Sequence, residues 1–198
     1  KEITVFELAN KWLELKKMEI TTNAFGRYKS IVRNMIPRIG ESRLASSVTK
    51  EDLLFIRKEL LTGYQLLGYR KKSVVKGRSV PTVNSYMTVS AMMFQFAADS
   101  GYIPANPFAG ISPLKKSKAE PDPLTRDEFV RMIDVMKHQQ IKNMWSLAVY
   151  TGVRHGELVS LAWEDIDLKA GTMIIRRNLT SQKEFTLPKT EAGTDRVI

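Results

Sequence analysis

Arg154 and Glu157, three residues apart in Tyr150–Thr–Gly–Val–Arg–His–Gly–Glu–Leu158, form the pair best suited to chemistry in this 198-residue chain. A guanidinium is always charged and donates in a rigid fork, which fits a planar or tetrahedral oxyanion. A carboxylate one helical turn on can hold that fork still. Ahead of the pair, Met144, Leu147 and Ala148 recur at helical spacing. Gly152 ends that run, glycine being the residue that most readily takes a left-handed backbone. Beyond it, Arg154, Glu157, Leu158 and Leu161 are expected on one face of a second helix. Arg154 then stands at a helix start, where backbone N–H groups add to the positive potential. By spacing alone the pair reads first as an ordinary surface ion pair worth roughly 0.3–0.5 kcal/mol. Further along, Lys189 stands in Pro188–Lys–Thr190 at an expected turn, where a lysine by itself serves solubility.

The elements that must position these groups can be read from periodicity and punctuation. Val5, Leu8, Ala9 and Trp12 mark a first helix with Thr4 as its cap. Phe25, Tyr28, Val32 and Met35 mark a second, closed by Pro37 and Gly40 and carrying Lys29 and Arg33 on one face. Thr49–Lys–Glu–Asp52 has the capping-box pattern and opens a third along Leu53, Ile56 and Leu60. A fourth runs from about Thr82 through Val83, Met87, Ala91, Phe94 and Ala98 to Gly101. Between the third and fourth, Tyr69–Arg78 reads as a loop with five cations (Arg70, Lys71, Lys72, Lys76, Arg78) and no acid. Such a loop faces either water or phosphate. Pro113–Pro123, with Lys115 and Lys116, lacks periodicity and reads as a basic linker. This gives a helical domain over 1–112, a linker over 113–123 and an α+β domain over 124–198. The last opens with a capping box at Thr125–Glu128. Its expected small antiparallel sheet has a strand at Thr172–Arg177, a hairpin partner at Lys183–Leu187 and a third strand from Thr194.

Charge separates the two halves. Residues 1–118 hold 20 Lys and Arg against 9 Asp and Glu, whereas residues 119–198 hold 11 against 12. The net +10 therefore belongs to the first half, as expected of a polyanion-binding module joined to a near-neutral one. A membrane-surface anchor is the competing use of such charge, but the apolar faces here have the pattern of core faces. No run is long enough for a membrane span, and no signal-peptide pattern opens the chain. There is no cysteine, and His138 and His155 have no partners at metal-ligand spacing, so no metal or cofactor is expected.

The string Thr151–Gly–Val–Arg–His–Gly–Glu–Leu158, followed by Ser160–Leu–Ala–Trp–Glu–Asp–Ile–Asp167, resembles the first catalytic box of the tyrosine recombinases, the phage integrase family. The likeness continues through Gly171–Ile175 and Pro188–Ile198, covering roughly the last 75 residues. It implies a SAM-like helical core-binding domain followed by the first part of a catalytic domain, truncated at Ile198. It implies Arg154 as the first catalytic arginine on the scissile phosphate, Glu157 as its support and Lys189 as the general acid. Lys29, Arg33, Arg70, Lys71, Lys72, Lys76, Arg78, Lys115 and Lys116 become DNA contacts. His155 does not match the family's catalytic histidine, which belongs to a later box. All six tyrosines precede Arg154, so none stands at the nucleophile's place. The segment after Lys189, Thr–Glu–Ala–Gly–Thr–Asp–Arg196, departs from the family pattern and leaves the role of Arg196 open.

The expected activity is site-specific integration or excision of phage or prophage DNA through a 3′-phosphotyrosine in the intact protein. The chain itself is expected to bind DNA without cutting it. Expected partners are double-stranded attachment-type sites, other copies in a tetrameric synapse, and accessory DNA-bending or excision proteins. The expected place is the cytoplasm of a bacterial or phage-infected cell, with no membrane partner. The alternatives are a sequence-specific DNA-binding protein without catalysis on the same scaffold and, last, an RNA-binding helical adaptor.

Overall fold

The computed structural model describes residues 2–67, 72–117 and 120–198, with segments 64–67 and 72–74 described by their backbone alone. The chain divides into two compact units, Lys1–Ala119 and Glu120–Ile198.

The first unit is a four-helix assembly of α1 (Val5–Glu19), α2 (Thr22–Ile39), α3 (Lys50–Thr62) and α4 (Val80–Asp99). α1 begins where the Thr4 hydroxyl accepts the Glu7 N–H at 3.2 Å and the Glu7 carboxylate accepts the Thr4 N–H at 2.9 Å. Thr49 and Asp52 repeat the arrangement at α3. α4 is apolar on most sides and buries Val83, Tyr86, Met87, Val89, Met93, Phe94 and Ala97, so it packs against each of the other three helices. Trp12, Leu8, Met35, Leu53 and Phe94 form the centre of the core, all at most 2% exposed. Among the described residues no helix is long and apolar enough to cross a membrane.

Two expectations for this unit are corrected. Pro37 does not close α2 but lies inside its last turn, where the Arg38 guanidinium donates to the Asn34 carbonyl at 2.5 Å. Gly40 then ends the helix. Within the basic stretch residues 72–76 are a strand and not a loop, because β1 (Gly63–Leu67) and β2 (Lys72–Lys76) pair antiparallel, with Tyr64 opposite Val75 and Gln65 opposite Val74. The β-branched Val74–Val75 pair inside the run of cations is what favours a strand there. Past α4 the chain stays on the core: the Asn84 side chain donates to the Leu114 carbonyl and accepts its N–H, both at 2.9 Å.

The second unit contains α5 (Arg126–Val135), α6 (Gln139–Thr151) and the single turn α7 (His155–Leu158), then short strands. β3 (Ile166–Asp167), β4 (Thr172–Ile175) and β7 (Arg196–Val197) form one antiparallel sheet with β4 central. β5 (Asn178–Leu179) and β6 (Phe185–Thr186) form a separate hairpin. The strand at Thr172 is therefore not paired with 183–187. It buries Met173 and Ile175 on one face, and residues 166–167 and 196–197 flank it. Among the described residues the core of this unit is small: Val153, Met173 and Ile175, with Leu147, Leu158, Leu161, Ile166 and Ile198 packed against them. α6 buries none of its residues.

Candidate functional site

Gly152 ends α6 in a left-handed conformation (φ 65°, ψ 19°), its N–H donating to the Ala148 carbonyl at 2.9 Å. The reversal lets Val153 enter the core and leaves Arg154 extended (φ −71°, ψ 150°) as the N-cap of α7. The face expected to continue to Leu161 stops after one turn. The Ser160 hydroxyl lies 2.9 Å from the Glu157 carbonyl and 2.8 Å from the Arg177 carbonyl, drawing the chain off towards the strands. A one-turn helix contributes little dipole, so the positive field at this corner comes from guanidinium groups.

Those groups converge on Glu157, which is 1% exposed. Its Oε1 accepts Arg154 Nη1 at 2.9 Å and its Oε2 accepts the Arg154 backbone N–H at 3.0 Å. Oε2 also accepts Arg196 Nη2 at 3.2 Å. Burial alone pushes the carboxyl up, but the Arg154 N–H, the Arg154 guanidinium and Arg196 together outweigh it and hold the acid below the ordinary carboxylate range. Glu157 is thus a fixed anion that orients two cations. The Arg154 side chain keeps 55% of its surface exposed and the Arg196 side chain 33%, so both reach solvent while anchored from beneath. Arg196 was not assigned by spacing, because its partner lies 39 residues earlier.

Lys189 is exposed on the segment between β6 and the 3₁₀ turn Glu191–Gly193. The turn itself comes close to Arg154 at Gly193, where an added Cβ would lie 3.7 Å from Arg154 Nη1. His155 is exposed beside the site.

A second buried acid, Asp165, lies on the 3₁₀ turn Trp163–Asp165. Its Oδ2 accepts Arg177 Nη2 at 2.5 Å and the Ala162 N–H at 3.1 Å, and Arg176 Nη1 lies 3.5 Å from Oδ1. Burial pushes the Asp165 carboxyl up, and the Arg177 hydrogen bond, the Ala162 N–H and both guanidinium charges hold it below its usual range overall. Arg177 is raised mainly by its bond to Asp165. The signal in the sequence was an acid-rich Glu164–Asp165 followed, past the strand, by Arg176–Arg177. This pair ties β4 to the turn before it. Asp165→Asn is expected to lower the stability of the second unit by about 1–2 kcal/mol, since both arginines remain partly solvated. Urea unfolding followed by the near-ultraviolet tryptophan signal checks it.

The basic residues of the first unit are spread over two elements and the tail. Arg33 is exposed on α2, and Lys29 Nζ lies 6.0 Å from the centre of the Phe25 ring. Lys76 is exposed at the end of β2, and the Arg78 guanidinium lies 4.8 Å from the Tyr86 ring centre. Lys115 and Lys116 are exposed. Arg70 and Lys71 lie outside the described residues, as does the side chain of Lys72. Sequence reasoning passed over Arg27, which donates to the Ser85 hydroxyl between α2 and α4. It lines a groove of about 370 Å³ with Ser30, Thr82, Ser85 and Tyr86, and among the described residues no acid lines that groove.

Comparison with known proteins follows the same division. Residues 123–197 match the phage integrase family. The chain is 54% identical over 197 residues to the IntQ protein of Escherichia coli (strain K12), covering 100% of this chain and 49% of that protein. It is 41% identical over 190 residues to the prophage integrase IntR of the same strain, covering 96% and 46%. The chain thus spans about half the length of these curated relatives. Its fold is similar to that of the Tn1549 transposon integrase, solved with a circular-intermediate DNA (TM-score 0.71, 21% identity, 96% of this chain and 59% of that one). It is equally similar to a lambda integrase dimer bound to a COC′ core site (TM-score 0.71, 17% identity, 94% and 49%). The segment 123–197, which carries Arg154, Glu157, Lys189 and Arg196, belongs to the phage integrase family.

Proposed function

We propose that this chain binds duplex DNA through the basic faces of its helical unit and supplies part of the strand-exchange site of a prophage-type integrase. The observation that carries the reading is the buried Glu157 carboxylate holding Arg154 at the solvent edge, on the segment that matches the family. In the intact protein a tyrosine outside this chain attacks the scissile phosphate and becomes 3′-phosphotyrosyl as the 5′-oxygen departs. Arg154 meets the negative charge that builds on a non-bridging oxygen, with its fork already oriented by Glu157. Lys189 gives the departing 5′-oxygen its proton. In the domain reading of 1–112, 113–123 and 124–198, Lys115 and Lys116 stand on the connecting segment and add to its basic charge. Relatives solved as DNA-bound dimers and as a tetramer on a Holliday junction support self-association on DNA.

Fluorescence anisotropy with an attachment-type duplex tests the binding. Affinity is expected to fall with salt, with a log–log slope of about −5 for roughly six neutralised phosphates. A slope near zero rejects the reading. With a nicked suicide duplex the chain is expected to form no covalent adduct. The second reading, a DNA-binding protein without catalysis, is separated by Arg154→Ala in the longer protein. An integrase loses strand exchange by about 10²–10³-fold or more while duplex affinity changes little.

A further inference from the structure

We propose that Arg196 is a positioning residue: through Glu157 it fixes the turn that follows Lys189, Glu191–Gly193, beside the Arg154 guanidinium. The inference rests on the reading that Arg154 and Lys189 act on one phosphate, and it adds what holds them in register.

Glu157 receives two cations from different parts of the unit. Arg154 comes from the cap of α7, and Arg196 from β7. β7 is itself fixed to the core, because Arg196 is paired with Ile175, which is 1% exposed, and the Asp195 N–H donates to the Ile175 carbonyl at 2.9 Å. Asp195 sits at φ 55°, a left-handed conformation that aspartate tolerates better than most residues, and this reversal turns the chain from the 3₁₀ turn into β7. The turn is tight: the Gly193 N–H donates to Thr190 O at 2.9 Å and the Thr194 N–H to Glu191 O at 3.0 Å. Gly193 is buried, and a Cβ there would meet Thr190 Oγ1 at 3.0 Å, Pro188 Cβ at 3.5 Å and Arg154 Nη1 at 3.7 Å. The turn therefore packs beside Arg154 at ordinary contact distance, and a side chain at Gly193 would crowd only Thr190 Oγ1 within the turn. The bond from Arg196 to Glu157 closes the circuit from α7 through the carboxylate to β7 and back to the turn.

Arg154 keeps two bonds to Glu157 without Arg196, so loss of Arg196 is expected to loosen the turn more than the sheet. Among the described residues the charged groups facing Glu157 are Arg154 from the α7 cap and Arg196 from β7. Removing one leaves the carboxylate easier to protonate, so the Arg154–Glu157 bond is lost at a higher pH.

The test uses the 198-residue chain labelled with ¹⁵N, without DNA, as wild type, Arg196→Gln, Arg196→Lys and Gly193→Ala. In Arg196→Gln, exchange of the Gly193 and Thr194 amides and rotation of the Arg154 guanidinium are each expected to speed up about tenfold, the effect of one charge-assisted bond. The Met173 amide in β4 is expected to change less than about threefold. The acid loss of the restrained Arg154 signal moves to higher pH, and Arg196→Lys restores most of each effect. Gly193→Ala keeps every charge but crowds Thr190 Oγ1 at 3.0 Å inside the turn, so the turn must shift and the same two reporters loosen. It decides the matter if Arg196→Gln does not fold. Turn and sheet loosening in parallel, or an Arg154 signal unmoved in both variants, overturns the proposal. Duplex binding by the wild-type chain is measured separately: its absence rejects the integrase reading, whereas binding with the turn and Arg154 signals unmoved in the variants rejects the positioning role alone.

Discussion

Gly156→Ala is expected to destabilise the second unit by about 2 kcal/mol, although alanine is the better helix former. Gly156 lies in α7 where it packs on β5. A Cβ there would stand 2.1 Å from Asn178 Oδ1, 3.0 Å from Asn178 Cγ and 2.9 Å from the Leu179 carbonyl oxygen. The carbonyl is backbone and cannot swing aside. Asn178 is held as well, its amide donating to the Thr186 hydroxyl at 3.1 Å across the β5–β6 pair. Either α7 or the hairpin must shift. Overpacking of this kind costs typically about 1–3 kcal/mol, and bulk-driven displacement against backbone falls towards the upper end. The gain in helix propensity is at most about 1 kcal/mol and smaller in a single turn. The clash therefore decides the sign, and Gly156→Val is worse. Amide hydrogen exchange at Met173 and Ile198, which bond to each other at 2.9 Å in both directions, reads the loss as about thirtyfold faster exchange. Unchanged exchange would mean that α7 and β5 separate at no cost. The shift also moves Glu157, one residue on, so stability and site geometry fail together.

What could be read from residue order was what is local. Thr4, Thr49 and Thr125 announce their helices because a capping box closes within four residues, and all three are formed. Gly152 announced the corner for the same reason. Partners that meet across the chain were less legible. The strand at Thr172 has flanking segments on both sides that could pair with it, and periodicity does not say that 196–197 is chosen over 183–187. Arg196 looked like a departure from a motif because its meaning lies in a carboxylate 39 residues away. The β1–β2 hairpin was hidden by cations that read as solvated loop, though Val74–Val75 carried the strand propensity. α7 was overdrawn because Leu158 and Leu161 keep helical spacing, while Ser160 between them bonds to two carbonyls and ends the turn. At the site, Arg154 and Glu157 were legible because they are three apart. The reason they are rigid was not, because it depends on burial that only the assembled unit creates.

Glu157→Ala is expected to be the most damaging single change at the site, lowering the stability of the second unit by about 2–3 kcal/mol. Removing one partner of a fully buried ion pair costs roughly 3–5 kcal/mol, and the figure is reduced here because Arg154 and Arg196 both reach solvent. The alanine leaves the Arg154 N–H and two guanidinium groups without their acceptor, and the small core of Val153, Met173 and Ile175 has little to offset this. Glu157→Gln keeps the shape and one carbonyl acceptor, and about half the loss is expected. The pH dependence has a definite sign. The folded carboxyl titrates below its unfolded value of about 4.3, so its stabilisation is complete above that value and drains away as pH falls through the folded one. Wild-type stability of this unit should therefore decline on acidification from about pH 5 downward. Glu157→Gln should decline less steeply, keeping only the share of other lowered acids in the unit such as Asp165 and Glu128. Urea midpoints for the two proteins between pH 3 and 7 measure the difference. Parallel slopes would show that Glu157 carries no linked charge, and the picture of a buried anion holding two arginines would then fail at its centre.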